Sequence, residues 1–230
     1  MAYLNTLRYK LLQKIKLKRD NMNEIILSEL VITKFCHDIT GPIGAIGNGI
    51  DFLKEGKDTL QEQYLNLLES SSKDAISRLV FFRQAYGTLP ATTSTNMERI
   101  QQISAEFFAQ KKVQIDWVGH DSPAQAFHGP SLKLALNTLL FLSDTLPQGG
   151  KIQITIEENQ DKVSVTATAL GNHIKVEVED KMLIQGDTSS TVTIDTRRVQ
   201  TYLLTQLIKN MQASVTINVK NDSVSITIKS

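Results

Sequence analysis

Between Asn23 and Leu53 large apolar side chains recur at helical spacing. Wound at about 100° per residue, Leu27, Val31, Phe35, Ile39, Pro42, Ile43, Ile46, Ile50 and Leu53 gather on one broad side. The pattern predicts a long helix over 23–55, with Gly56 as its C-cap and a short turn at Lys57-Asp58. A second helix follows from Thr59 to Tyr86, marked by Leu60, Tyr64, Leu67, Leu68, Ala75, Leu79, Phe82 and Tyr86. Ser70-Ser71-Ser72 weakens its middle without breaking it. Two long helices joined by a tight turn form an antiparallel hairpin, and a lone hairpin cannot cover both apolar stripes. A second copy can, so the pattern implies a two-fold homodimer with a four-helix bundle. Gly41, Pro42, Gly44, Gly47 and Gly49 interrupt the first helix chemically. The alternatives there are a loop, or two short helices broken at Gly41-Pro42. The apolar spacing runs on across the proline and favours one bent helix.

From Gly87 the rhythm changes. Gly87–Thr95 reads as a linker and Asn96–Lys111 as a helix with Ile100, Ile103 and Phe107 on one face. Val113–Val118 alternates as a strand, 119–129 reads as loop, and Pro130–Leu146 as a helix with proline in its first turn. After the turn at Pro147-Gln148-Gly149-Gly150 come strands Lys151–Ile156 and Lys162–Ala169 and a further candidate at Ile174–Val178. Residues 180–191 look irregular, Asp195–Met211 helical, and Ser214–Val219 with Ser223–Ile228 form a hairpin about Asn221-Asp222. The expected fold is therefore α+β: a helical hairpin over 1–90, then an α/β sandwich with a mixed or antiparallel sheet over 91–230.

Composition narrows the function classes. With 25 Lys+Arg against 24 Asp+Glu, no overall field points to nucleic acid or to a membrane surface. The lone cysteine, Cys36, excludes a disulfide framework, favours a reducing compartment and reads as a buried thiol. No apolar run reaches the length of a membrane span and no secretory h-region stands at the N-terminus, so the expected location is cytoplasmic. Residues 1–20 carry Arg8, Lys10, Lys14, Lys16, Lys18 and Arg19 over a weak apolar stripe. They read as a solvated extension of the first helix or a frayed end, ahead of a membrane- or partner-binding helix.

The candidate chemistry lies opposite the first stripe. His37 falls there, and Thr33, Thr40, Gly41, Gly44 and Asn48 share its face. Each glycine costs a helix roughly 1 kcal/mol against alanine, which makes sense where bare backbone lets another protein's loops approach an imidazole. An exposed helical histidine is nucleophilic near neutral pH. Attack on phosphorus gives a phosphoramidate, whose phosphoryl group moves readily to a carboxylate, and this chemistry depends on in-line positioning and charge neutralisation. Asp38 is placed to orient or deprotonate the ring, and Lys34, one turn earlier, to sit near phosphate oxygens. Thr33, Thr40 and Asn48 are candidate partner contacts. His120, His128 and His173 lack metal-ligand spacing, so no metal site is expected. Tyr64, Phe81, Phe82 and Tyr86 read as helix-packing residues.

His37-Asp38-Ile39-Thr40-Gly41-Pro42 resembles the H-box of two-component histidine kinases, in which histidine is followed by an acidic residue and, five positions on, by proline. The run from His37 to Gly49 is closer still to the bacterial ChpT-type histidine phosphotransferases, which share the His-Asp pair, Pro-x-Gly-Ala-Ile and Asn-Gly. The resemblance implies a kinase-like dimerisation hairpin followed by a degenerate ATPase-like (Bergerat-type) domain that does not bind ATP. It implies transfer through His37 from the receiver domain of a hybrid histidine kinase to aspartates of response regulators, with magnesium supplied by the partner receiver domain and no cofactor of the chain's own. Leu136-Asn137-Thr138-Leu139-Leu140 resembles the kinase N-box, but the second asparagine, a magnesium ligand in kinases, falls on Phe141. Thr166–Gly171 stands where Asp-x-Gly-x-Gly is expected, and Asp195-Thr196-Arg197-Arg198 where a Gly-x-Gly lid would be. Asn137 then reads as structural. Gly41 occupies the position where bifunctional kinases carry Thr or Asn, which argues against water-directed dephosphorylation. Two other readings stay open: a diverged ATP-dependent sensor kinase core, and a non-catalytic dimeric scaffold that binds a response regulator.

Overall fold

A computed structural model of the chain describes residues 17–18, 22–55, 60–88, 94–119, 126–159, 162–186 and 192–230. Gly56, the Lys57-Asp58 turn, Thr59 and nearly all of the basic segment lie outside the described residues.

The first long helix, α1, runs unbroken from Glu24 to Lys54 with Pro42 inside it. Asn23 caps it, its side chain accepting from the Ile26 N–H at 2.9 Å. Upstream, Leu17–Lys18 forms a short strand, β1, paired antiparallel with Thr193–Ile194, β7. The expected helical extension therefore does not reach back through these residues: the cap starts the helix at Glu24, and the preceding backbone bonds to β7 instead. The second helix, α2, spans Gln61–Tyr86 and lies against α1.

The apolar stripe of α1 divides along its width. Phe35 and Ile39 pack on the core that continues through Phe81, Phe82 and Ala85 of α2. Ile43 and Ile50, which the stripe leaves for a second copy to cover, are exposed in the protomer together with Ile25 and Ile32. The stripe is wider than one neighbouring helix can cover, so its outer edge faces out of the protomer. Leu65, Ile76 and Leu79 of α2 are exposed as well.

The second half is a sandwich. Short strands β2 (Ser94–Asn96) and β4 (Ala126–His128) pair antiparallel in segments expected to be linker and loop. Asn96 then caps α3, Met97–Ala109. The main sheet has order β3-β5-β6-β9-β8, from strands Val113–Trp117, Gly150–Asn159, Lys162–Leu170, Ser223–Lys229 and Ser214–Val219. β3 and β5 are parallel, and the remaining pairs antiparallel. Parallel neighbours need a crossover, supplied here by α4, Gly129–Asp144. Alternation sends Ile152, Ile154, Ile156, Val165, Ala167, Ala169, Val224, Ile226 and Ile228 inward, under α4 and α6 (Val199–Asn210).

Ile174–Val178 is not a strand. The alternation is present, but no sheet edge receives it: the Lys175 N–H donates to the Thr145 carbonyl at the end of α4. The chain then enters a short helix, α5, at Val178–Ile184, inside the stretch that reads as irregular, with Glu179 and Asp180 in its first turn where anionic side chains favour a helix start.

Candidate functional site

His37 projects from the middle of α1 with its side chain 58% exposed. Its Nδ1 lies 3.2 Å from Asp38 Oδ1, and Asp38 Oδ2 lies 3.3 Å from Lys34 Nζ. The helix explains the second contact, since residues four apart stack on one side. One carboxylate thus bridges the imidazole and an ammonium group. With Nδ1 turned to a carboxylate, the ring proton belongs on Nδ1 and the lone pair on Nε2.

Thr33, Thr40, Gly41, Gly44 and Asn48 lie along the same side of the helix as His37. Thr33 and Thr40 turn their hydroxyl protons inward, to the Glu29 carbonyl at 2.7 Å and the Cys36 carbonyl at 2.6 Å, leaving oxygen lone pairs and methyl groups outward. The glycines fall into two kinds. A Cβ built on Gly41, Gly44 or Gly47 meets nothing within 4 Å, so no neighbour in the protomer requires glycine there. A Cβ on Gly49 would come to 2.9 Å from Leu68 Cδ2, so that glycine lets α2 approach. Cys36, expected to be buried, is exposed, because it projects beside Ile32 and Ile43 on the uncovered edge of the stripe.

Two turns before the histidine the same side of α1 is covered. Leu30 is buried against Leu183, Val192, Ile194, Val199 and Tyr202. His37 therefore stands where the sandwich stops covering the helix. Lys34 also lines a cleft of about 680 Å³ with Lys111, Lys175, Asp180 and Arg197. Burial pushes the Asp180 carboxyl above its usual range, against the opposing pull of Thr201 and of Arg198 and Arg197. Lys175 and Arg197 both bind Glu177, at 3.0 and 2.9 Å, and hold that carboxyl below its usual range. Sequence reasoning did not find this cleft. It exists only because α1, the end of α4 and residues 175–180 meet, and no local pattern announces that.

Asn137 is fully buried in α4. Its amide donates to the Ala85 and Lys133 carbonyls, each at 2.8 Å, and its oxygen accepts from Gln200 Nε2 at 3.0 Å. Gln200 Oε1 accepts from the Tyr86 hydroxyl at 2.6 Å. The N-box-like asparagine is thus a joint between α2, α4 and α6, and the structural reading of it holds. Phe141 is buried. Phe81, Phe82 and Tyr86 pack as expected, and Tyr64 stacks on Phe52 with ring centroids 5.2 Å apart. His128 Nδ1 faces Glu158 at 3.1 Å. His120 lies outside the described residues. Among the described residues, no group of three or more His, Cys, Asp or Glu side chains is arranged to hold a metal ion, and no helix is long and apolar enough to cross a membrane.

Residues 97–223 match the family model for the histidine phosphotransferase C-terminal domain. The protein phosphotransferase ChpT of Brucella abortus (strain 2308) is 27% identical over 204 residues, covering 88% of this chain and 95% of the relative. The 1.7 Å structure of a bacterial phosphotransferase superposes with a TM-score of 0.76 at 25% identity, over 90% of this chain and 98% of that one. The histidine kinase domain of a blue-light activated kinase from Erythrobacter litoralis superposes with a TM-score of 0.43 at 10% identity, over 86% of this chain and 94% of that one.

Proposed function

The chain belongs to the histidine phosphotransferase family and is a phosphorelay histidine phosphotransferase; we propose that His37 is the residue that carries the phosphoryl group. One observation carries this reading: an imidazole more than half exposed, with a carboxylate at its Nδ1, on a helix face whose Gly41 and Gly44 open onto empty space.

On this reading the Nε2 lone pair attacks the phosphorus of an aspartyl phosphate on a visiting receiver domain. The Nε2–P bond forms as the P–O bond to the aspartate breaks, and the carboxylate leaves with that electron pair. The ring keeps its Nδ1 proton and gains positive charge, which Asp38 stabilises across 3.2 Å. Lys34 stands one turn away to meet phosphate oxygens and holds Asp38 in place meanwhile. The reverse step delivers the phosphoryl group to the aspartate of a second receiver. The donor is the receiver domain of a hybrid histidine kinase, the acceptors are response regulators, and magnesium comes with the partner.

Receiver loops dock on the face of Thr33, Thr40, Gly41, Gly44 and Asn48. A homodimer forms where Ile25, Ile32, Ile43 and Ile50 of α1 meet Leu65, Ile76 and Leu79 of α2 in a second copy; these exposed apolar side chains support that assembly. Residues 1–90 are the transfer unit and 91–230 a degenerate ATPase-like unit that works without ATP, as the commitment of Asn137 to a helix joint supports. We place the protein in the cytoplasm.

The test is incubation with a phosphorylated receiver domain. Acid-labile label is expected on His37 and none on His37→Ala. Label of equal amount on His37→Ala overturns the assignment, and regulation that persists in that variant favours a scaffold.

A further inference from the structure

Pro42 lacks an N–H and so cannot donate to the carbonyl four residues back, that of Asp38. The carbonyl is satisfied from the other helix. Arg78 Nη1 of α2 donates to it at 3.0 Å, while Arg78 Nε is held by Asp74 Oδ1 at 2.8 Å. Both side chains are largely buried, 26% and 16% exposed. The proline thus opens the hydrogen-bond ladder beside His37, and an anchored guanidinium closes it.

Resting on the reading of His37 given above, we infer that Arg78 is a positioning residue for phosphotransfer. It fixes the Asp38 peptide in place of the missing N–H and thereby aims the carboxylate that sits between His37 Nδ1 and Lys34 Nζ. Its guanidinium points at a backbone oxygen and not at the ring, so it acts through Asp38 and not on the reacting atoms. The arrangement also ties the angle of α2 to the orientation of the imidazole. A shift of about 1 Å at a reacting group costs on the order of a hundredfold in rate, so a firm hold on this peptide matters to the transfer step even though the contact itself is remote from phosphorus.

The experiment is a rapid-quench time course of label on the full chain across concentrations of phosphorylated receiver domain, for wild type, Arg78→Gln, Arg78→Lys, Pro42→Ala and the double variant Pro42→Ala/Arg78→Gln. Arg78→Gln is expected to lower the rate constant at saturating donor about tenfold, the equivalent of one charge-assisted hydrogen bond. The half-saturating donor concentration and the final amount of label should not change. Arg78→Lys should fall between. In the Pro42→Ala background the restored N–H takes over the bond, so Arg78→Gln should cost less than about threefold. Equal cost in both backgrounds, a wild-type rate in Arg78→Gln, or a loss confined to the labelled fraction each overturns the inference and leaves Arg78 a plain helix staple. Wild-type protein that takes no label on His37 sinks the reading of His37 itself, and this inference with it.

Discussion

Two polar clusters, each built on helices, show what the molecule does with its hydrogen-bonding side chains. His37, Asp38 and Lys34 stand on α1 with the Asp38 carboxylate between the imidazole and the ammonium group and the ring more than half exposed. Asn137, Gln200 and Tyr86 sit where α2, α4 and α6 meet, with every link satisfied inside the protein. Lys34 and Asp38 are half-buried and form a single i,i+4 pair, a contact that adds little to stability, so the first cluster is available for chemistry at small structural cost. The second is the reverse, because a buried amide stripped of one partner leaves the others unpaired. Burial also pushes the Tyr86 hydroxyl pKa far up, so it remains a donor to Gln200. The segment whose sequence reads like an N-box holds its asparagine as a fastener, and the groups proposed to react stand on the hairpin.

Substitution should separate the two clusters sharply. Asn137→Leu is expected to destabilise the protein by about 3 kcal/mol, since it orphans the Gln200 amide and the Ala85 carbonyl. A melting curve should show the midpoint falling by roughly 6–12 °C for a chain of this size. Asp38→Asn should move the midpoint hardly at all, within about 0.5 kcal/mol, yet slow label transfer to His37 by roughly ten- to a hundredfold. If the two variants exchange these signatures, the division between a fastening cluster and a reactive one is wrong.

The glycines of α1 sharpen the same contrast within one helix. Gly44 faces open space, so Gly44→Ala should stabilise the protein by up to about 1 kcal/mol through helix propensity alone. It should also slow transfer from a receiver domain, because the added methyl stands on the proposed docking face. Gly49→Ala places a Cβ 2.9 Å from Leu68 Cδ2 and should forfeit that gain without touching the docking face. Paired melting and transfer measurements check both signs. A Gly44→Ala protein that transfers at the wild-type rate would remove the functional reason for the bare face.

Much of this was legible in the residues, and the limits have physical causes. The period of the apolar positions carried α1 across Pro42, because a broad stripe outweighs one missing hydrogen bond. Alternation located the five strands of the main sheet, β3, β5, β6, β8 and β9, but not the short β2, β4 and β7. The His37-Asp38 pair announced itself by standing opposite that stripe among glycines. Alternation failed at Ile174–Val178, where the pattern exists but the backbone bonds to the end of α4 instead of to a strand. It also missed α5, whose Val178–Ile184 run is too short for a period to emerge. The stripe of α1 gave no sign of where its cover within the protomer ends, so Cys36 looked buried. Contacts between segments far apart in sequence, Arg78 with Asp38 and Asn137 with Ala85, leave no local trace at all.

The smallest expected effect distinguishes the two ends of the sandwich by pH. Glu158 joins β5 to the start of α4. Burial raises its carboxyl pKa, but bonds from the Ser131 hydroxyl at 2.5 Å and the His128 N–H at 3.2 Å, with the His128 ring beside it, outweigh burial and hold it below the usual range. Asp180, in the cleft beside α1, is held above the usual range by burial. The signs are therefore opposite. Glu158 contributes stability that is present above the ordinary carboxylate pKa, about 4, and is lost as pH falls through its lowered value. Asp180 contributes stability that is present below about 4 and is lost as pH rises through its raised value. At neutral pH, Glu158→Gln should lower the melting midpoint and Asp180→Asn should raise it. Both differences should shrink as the pH is taken down, Asp180→Asn closing first because its carboxyl takes up its proton at the higher pH. Midpoints that shift in the same direction at pH 7 would mean that the Asp180 carboxylate is held by its cationic neighbours more strongly than burial opposes it, and that the cleft lined by Lys34 favours negative charge.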